Sequence, residues 1–143
     1  MFKNTSLVTS AQATLHCLLA CVIGEVAGLF IGVSLGLGVL YTIVLAVGLA
    51  YISGFCLAIL PIMSRESLGL LAAIKVVWLG ESISIGAMEI AMNGIDFWIG
   101  GIQSDTLMTP IFWIGLAVAI PCGYFAAWPV NHFLLSRQLK ACH

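Results

Sequence analysis

Apolar residues run along this chain in four long stretches separated by short polar or glycine-rich breaks. Each stretch is close to the roughly 20 residues that an α-helix needs to cross a hydrocarbon core of about 30 Å. The pattern predicts helices over 11–34, 37–60, 67–92 and 111–135, and no strand-period alternation competes with it. The expected fold is an all-α integral membrane protein, a four-helix transmembrane bundle in which residues 1–143 make one domain. Gly36 and Gly38 break the first apolar run into two spans joined by a tight turn. Pro61, with Arg65 and Glu66 behind it, is expected to close the second span. Asn93-Gly94 is expected to open the longest loop, which reaches Pro110 and carries Asp96 and Asp105. Trp98 and Trp113 fall at one membrane boundary and Trp128 toward the other, where indoles concentrate.

Composition agrees with that pattern. Hydrophobic residues make up 62% of the 143 and charged residues 8%, where a soluble domain carries about three times that charge. Six acidic against five basic side chains leave a net charge of -1, so no basic field exists to hold phosphates and nucleic acid is excluded as a partner. Membrane lipids are the partner the composition implies. The first apolar run is too long for a removed signal peptide, is preceded only by Lys3, and has no small-residue cleavage site before Gly24. Four spans put Lys3, Arg65, Arg137 and Lys140 on one side and Asp96 and Asp105 on the other, so both termini are expected to be cytoplasmic. Cys17, Cys21, Cys56 and Cys142 fall toward that same side, where thiols stay reduced, and Cys122 lies deep; no disulfide framework is expected.

Ionisable groups inside hydrocarbon cost at least about 2.5 kcal/mol each near a helix centre, so Glu25, Lys75, Glu81 and Glu89 need partners or water. Counted from residues 11 and 67, Glu25 and Glu81 both arrive about 20 Å in, just past the midplane. Two carboxyls that meet there share a proton or hold a cation. The plainer alternative is structural: each Glu keeps its proton and hydrogen-bonds a neighbouring helix, as Ser82 and Ser84 would. At about 100° per residue, Lys75, Ser82, Glu89 and Asn93 form one stripe of the third helix, and Glu81, Ile85, Met88 and Met92 the adjoining one. Lys75 is close enough to the helix end to snorkel to the headgroups, and Glu89 is expected near the outer face, where water reaches it.

The first helix places Cys17, Cys21, Gly24 and Gly28 on one face, and Gly24, Gly28, Gly32 and Gly36 form a ladder of small residues that admits a closely packed neighbour. Cys17 and Cys21, one turn apart, present two thiols to one soft metal, with His16, Cys56, His132 and His143 as further donors and Met88 and Met92 as an extension. Copper or zinc suits such ligands. Against this, His16 lies about 100° around the helix from Cys17, no CxxC occurs, and membrane cysteines often serve simply as small apolar residues. Pro121 with Gly123 is expected to kink the fourth helix and free backbone carbonyls beside Cys122. Asn131 and His132 are polar anchors where that helix leaves the membrane. No Walker loop, GxSxG or HExxH occurs, so no enzyme is expected.

Three blocks of sequence carry a resemblance: His16-Cys17 with Cys21, Gly24 and Glu25; Glu81 to Ile85 with Met88, Glu89 and Asn93; and Phe112-Trp113 followed by Trp128-Pro129-Val130-Asn131. In this order, as HCxxxCxxGE, SIxxMEI and WPVN, they resemble the prokaryotic membrane family called domain of unknown function 4396. The resemblance covers nearly the whole chain and implies a small integral domain of the prokaryotic inner membrane, with no settled activity. Its motif positions here are His16, Cys17, Cys21, Glu25, Ser82, Ser84, Met88, Glu89, Asn93, Pro129 and Asn131. The chain departs from the family near its end, where Arg137 is followed by Gln-Leu-Lys-Ala-Cys-His rather than a Gly-His-Ala-like run, which argues against a role for His143.

Two functions remain open from the sequence. One is a bundle that binds or moves a cation, a soft transition metal or a proton, with Cys17 and Cys21 at a cytoplasmic mouth and Glu25, Glu81 and Glu89 inside. The other is a noncatalytic accessory or assembly subunit of a larger membrane complex. Four helices enclose little cavity, so a transporter of this size is expected to work as a homo-oligomer or within such a complex.

Overall fold

Glycines, prolines and a few hydroxyls decide where the helices start and stop. The computed structural model describes residues 7–137, so Lys3, Lys140, Cys142 and His143 lie outside the described residues. It has four helices, α1 (Leu7–Ser34), α2 (Val39–Glu66), α3 (Leu70–Ile99) and α4 (Pro110–Ser136). All four are long and apolar enough to cross a membrane.

Each boundary has a local cause, and several differ from expectation. α1 starts at Leu7 rather than near residue 11, because Ser10 donates to the Leu7 carbonyl (3.0 Å) and Thr14 to the Ser10 carbonyl (2.7 Å), which folds these hydroxyls into the helix. Gly36, at φ 64°, ends α1 in the left-handed region, and Leu37 N–H donates back to the Gly32 carbonyl at 2.9 Å. α2 does not close at Pro61. It runs on to Glu66 and stops at Ser67, itself left-handed at φ 51°. A proline removes one backbone donor, a loss that an apolar helix held by its neighbours tolerates.

The largest difference concerns α3. Asn93-Gly94 does not begin a loop, because the Asn93 amide nitrogen bonds back to the Glu89 carbonyl (3.0 Å) and supports the helix instead of turning the chain. The helix ends at Gly100, φ 100°, where the N–H groups of Gly100 and Gly101 both donate to the Asp96 carbonyl at 3.0 Å. Asp96 therefore belongs to a helix, not to the loop. Pro110 starts α4 at a position where its missing N–H is not needed, and α4 stays helical through Pro121 and Pro129.

In the bundle, α1 packs beside α2 and α4, α3 packs beside the same two, and α1 faces α3 across the diagonal. The chain alternates direction, so residues 7 and 137 share one end, called here the terminal end, with the α2–α3 turn; the α1–α2 turn and residues 100–109 form the far end. α1 and α2 touch nearly backbone to backbone. A Cβ on Gly24 would strike the Leu49 carbonyl, one on Gly28 the backbone of Ala46, and one on Gly32 the side chain of Thr42. Gly36 lies beyond this contact, in the turn, with open space around it. Apolar packing continues in three clusters: Cys17, Cys21, Ile85, Met88 and Met92 in the middle, Leu29, Ile102, Phe112 and Leu116 at the far end, and Ile59, Ile62 and Val77 at the terminal end.

Candidate functional site

A carboxyl group in an apolar bundle stabilises the fold only when a proton, a cation or hydrogen-bond donors offset its desolvation. α1 and α3 bury four of them: Glu25, Glu81, Glu89 and Asp96, none more than 3% exposed. They divide into two groups along the α1/α3 diagonal.

Toward the far end, Glu25 of α1 shares its electrostatic surroundings with Glu89 and Asp96 of α3. Glu89, Asn93 and Asp96 recur at i, i+4 and i+7, which sets them on one face of α3. Asn93 Nδ2 donates to Glu89 Oε2 at 3.1 Å. Glu25 Oε2, Glu89 Oε1, Asn93 Oδ1 and both Asp96 carboxyl oxygens are buried without a hydrogen-bond partner among the described residues. The Asp96 carboxyl fits between two glycines: a Cβ on Gly101 or on Gly115 would strike its Oδ1.

Toward the terminal end, Glu81 lines a cavity of about 20 Å³ with His16, Cys17, Ala20 and Gly54, room for about one water. His16 and Glu81 thus come to one place.

Glu25 lies level with Glu89 rather than with Glu81 along the bundle, and helix boundaries explain why. α1 begins four residues earlier than expected and α3 three residues later. Measured from Leu7 and Leu70 at about 1.5 Å per residue, Glu25 and Glu89 lie about 27 and 28 Å along, and Glu81 only about 16 Å. Glu89 is accordingly inside rather than hydrated at the outer face, at 3% exposure. Lys75 is exposed, as a snorkelling side chain is, and Ser82 is half-buried, so the inward face of α3 is the one through Glu81, Ser84, Met88, Glu89 and Met92.

Between the two groups lies a sulfur-rich, apolar middle. Cys17 and Cys21 are buried with Met88 and Met92 in the central cluster, and Cys21 rests against Gly54 of α2. Met92 and Met88 fill the space that Gly123 leaves on α4. The other suggested soft ligands do not join them: Cys56 is exposed, and His132 pairs through Nδ1 with the Ser10 hydroxyl at 3.2 Å. Among the described residues no three His, Cys, Asp or Glu side chains are grouped so that they could hold a metal ion.

A network of neutral polar groups fixes α4 to α1 and α3 at the terminal end. Asn131 Nδ2 donates to Thr14 Oγ1 at 3.0 Å, and the Ser84 hydroxyl donates to Asn131 Oδ1. Trp128 Nε1 donates to Ser10 Oγ at 3.0 Å and the Tyr124 hydroxyl to the Ala11 carbonyl at 3.2 Å. Ser84 and Asn131 are thus held in interhelix bonds that join motif blocks far apart in sequence. Gly101, Gly115, Ser10 and Thr14 were not singled out from the sequence, and Asp96 was read there only as a loop charge. The signal for Asp96 was its place at i+7 from Glu89, which continues the stripe through Asn93.

A family model described as "Domain of unknown function (DUF4396)" matches residues 8–140, nearly the whole chain. No curated protein and no solved structure matches.

Proposed function

The chain belongs to the family described as a domain of unknown function (DUF4396), and we propose that it is a multi-pass protein of the prokaryotic inner membrane that moves protons between α1 and α3. The observation that carries this reading is the set of buried carboxyl oxygens on Glu25, Glu89 and Asp96 that no donor among the described residues satisfies. Such oxygens call for a positive partner, and a proton needs no added space. His16 and Glu81, around a cavity that admits water, make an entry at the terminal end; Glu89 with Glu25 receives the proton further in, and Asp96 passes it to the far end. Glu81 and Glu89 are about 12 Å apart along α3, too far for one hop, so the relay requires water to enter the apolar middle between them. Arg65 and Arg137 put the entry on the cytoplasmic side in this reading. Of the two kinds of cation the sequence admits, the proton is the better supported, because the thiols lie in apolar packing and no third ligand is grouped with them among the described residues.

One observation favours the other reading, an accessory subunit. In the most apolar stretch of each helix, 56% of α1 is buried but only 28–33% of α2, α3 and α4, which leaves three helices with broad faces for lipid, a second copy or a partner.

The test is proton flux into liposomes containing the purified chain, followed with an entrapped pH-sensitive dye under an imposed potential. Proton relay gives flux above protein-free liposomes that falls at least about tenfold in Glu25→Gln, a change that keeps shape and removes the titrating group. Undiminished flux in Glu25→Gln, or a variant that loses a co-purifying partner instead, would overturn it in favour of the accessory role.

A further inference from the structure

Glu89 and Asn93 also line a groove on the side of the bundle, between α2 and α3, of about 300 Å³. That volume is at the lower end of small-molecule sites, and apolar walls with a few convergent polar groups are the usual composition of such sites. Val47 and Tyr51 of α2 form one wall; Gly86 and Ile90 of α3 form the other. Tyr51 is fixed there by its hydroxyl, which donates to the Ser82 carbonyl at 3.0 Å. Gly86 lets it lie close, since a Cβ on that residue would come 3.0 Å from the Tyr51 hydroxyl. Ile90, 78% exposed, marks the open side, which in a membrane faces the acyl chains.

The polar chemistry of this groove is one-sided. Asn93 spends its amide nitrogen on the Glu89 carbonyl and Oε2, which leaves Asn93 Oδ1 and Glu89 Oε1 buried and without donors. An amide oxygen only accepts, and a carboxylate accepts most strongly from a charged donor. An anionic ligand is repelled, and a neutral acyl chain leaves both oxygens unsatisfied. The matching ligand has an apolar body that enters from the bilayer and a positively charged head with several N–H groups, and an aromatic wall suits a cation.

We infer that the groove between α2 and α3 binds a lipophilic ammonium ion, its N–H groups on Glu89 Oε1 and Asn93 Oδ1 and its apolar body along Val47, Tyr51 and Ile90. This site goes beyond proton relay but shares Glu89 with it, and the ammonium meets Glu89 as a carboxylate, without the proton that the relay would place there.

The experiment titrates the full detergent-solubilised chain with 1-naphthylmethylammonium, using 1-naphthylmethanol as the uncharged control, with binding read from naphthalene fluorescence. The wild type binds the ammonium at least about tenfold tighter than the alcohol. Glu89→Gln and, as a second variant, Asn93→Ala reduce that preference while alcohol binding persists. Val47→Trp fills the groove and weakens both compounds. Glu25→Gln, which keeps every lining residue of the groove, still binds the ammonium in preference to the alcohol whether or not it stops proton flux, so failure of one reading is distinct from failure of the other. Equal affinity for the two compounds in the wild type would overturn the assignment and make the groove a slot for acyl chains. Preference retained in both Glu89→Gln and Asn93→Ala would overturn it as well, as would a wild type that binds neither compound because a second copy covers the groove and the chain elutes as a dimer.

Discussion

Gly115 of α4 has no side chain at the place where Asp96 of α3 buries its carboxyl: a Cβ there would strike Asp96 Oδ1 and come 3.0 Å from the Gly101 Cα. Two backbone segments thus approach one acidic group closely enough to exclude any larger residue. Gly115→Ala is expected to destabilise the bundle by about 1–3 kcal/mol through overpacking. Asp96→Ala in the same chain should restore most of that loss. Thermal unfolding in detergent of the two single variants and the double variant measures the coupling; equal losses from Gly115→Ala with and without Asp96 would show that the carboxyl is not what the glycine accommodates.

The α1/α2 contact makes a sharper contrast. Gly28→Leu places a side chain on the backbone of Ala46, whereas a Cβ added at Gly48 would meet nothing within 4 Å. Gly28→Leu is therefore expected to abolish the monodisperse folded peak in size-exclusion chromatography, and Gly48→Leu to keep it. Equal yields would contradict close packing of these helices.

Asn131 joins three helices through Thr14 and Ser84. Its replacement by Ala strands buried groups at about 1–3 kcal/mol each. Trp128→Phe removes only the indole bond to Ser10 and is expected to cost about 0.5–1.5 kcal/mol. A reversed order in unfolding midpoints would contradict the network.

Much of the bundle was legible because its causes are local. Period, length and the glycines at 36 and 38 mark four helices, and the stripe from Glu89 to Asn93 follows from about 100° per residue. What was not legible depends on partners distant in sequence or on where a helix begins. Asn93-Gly94 reads as a turn until the Asn93 side chain is seen to bond its own helix. Ser10 and Thr14 carry no signal in the sequence; their role shows only when Trp128, His132 and Asn131 are seen to bind them. That Glu25 lies level with Glu89 rather than Glu81 rests on shifts of a few residues in two helix starts, about 5 Å each.

The thiols offer a separate check. Cys17 and Cys21 are 4% and 0% exposed within apolar packing. If they serve as core residues, Cys17→Ala/Cys21→Ala keeps proton flux within about twofold of the wild type, and elemental mass spectrometry of the untagged protein finds copper and zinc well below one ion per chain. Stoichiometric metal that disappears in the double variant would instead make the thiols ligands, as soft-metal chemistry requires.

Proton relay requires that the buried carboxyls of Glu25, Glu89 and Asp96 carry protons that exchange with water, and infrared difference spectroscopy of the membrane-reconstituted chain reads this directly. On transfer from H2O to D2O, a protonated-carboxyl band is expected to shift promptly in the wild type and to lose intensity in Glu25→Gln and Glu89→Gln. A band that stays unshifted for hours, or one left unchanged by both substitutions, would mean that these carboxyls are sealed structural groups and would contradict a proton path between α1 and α3.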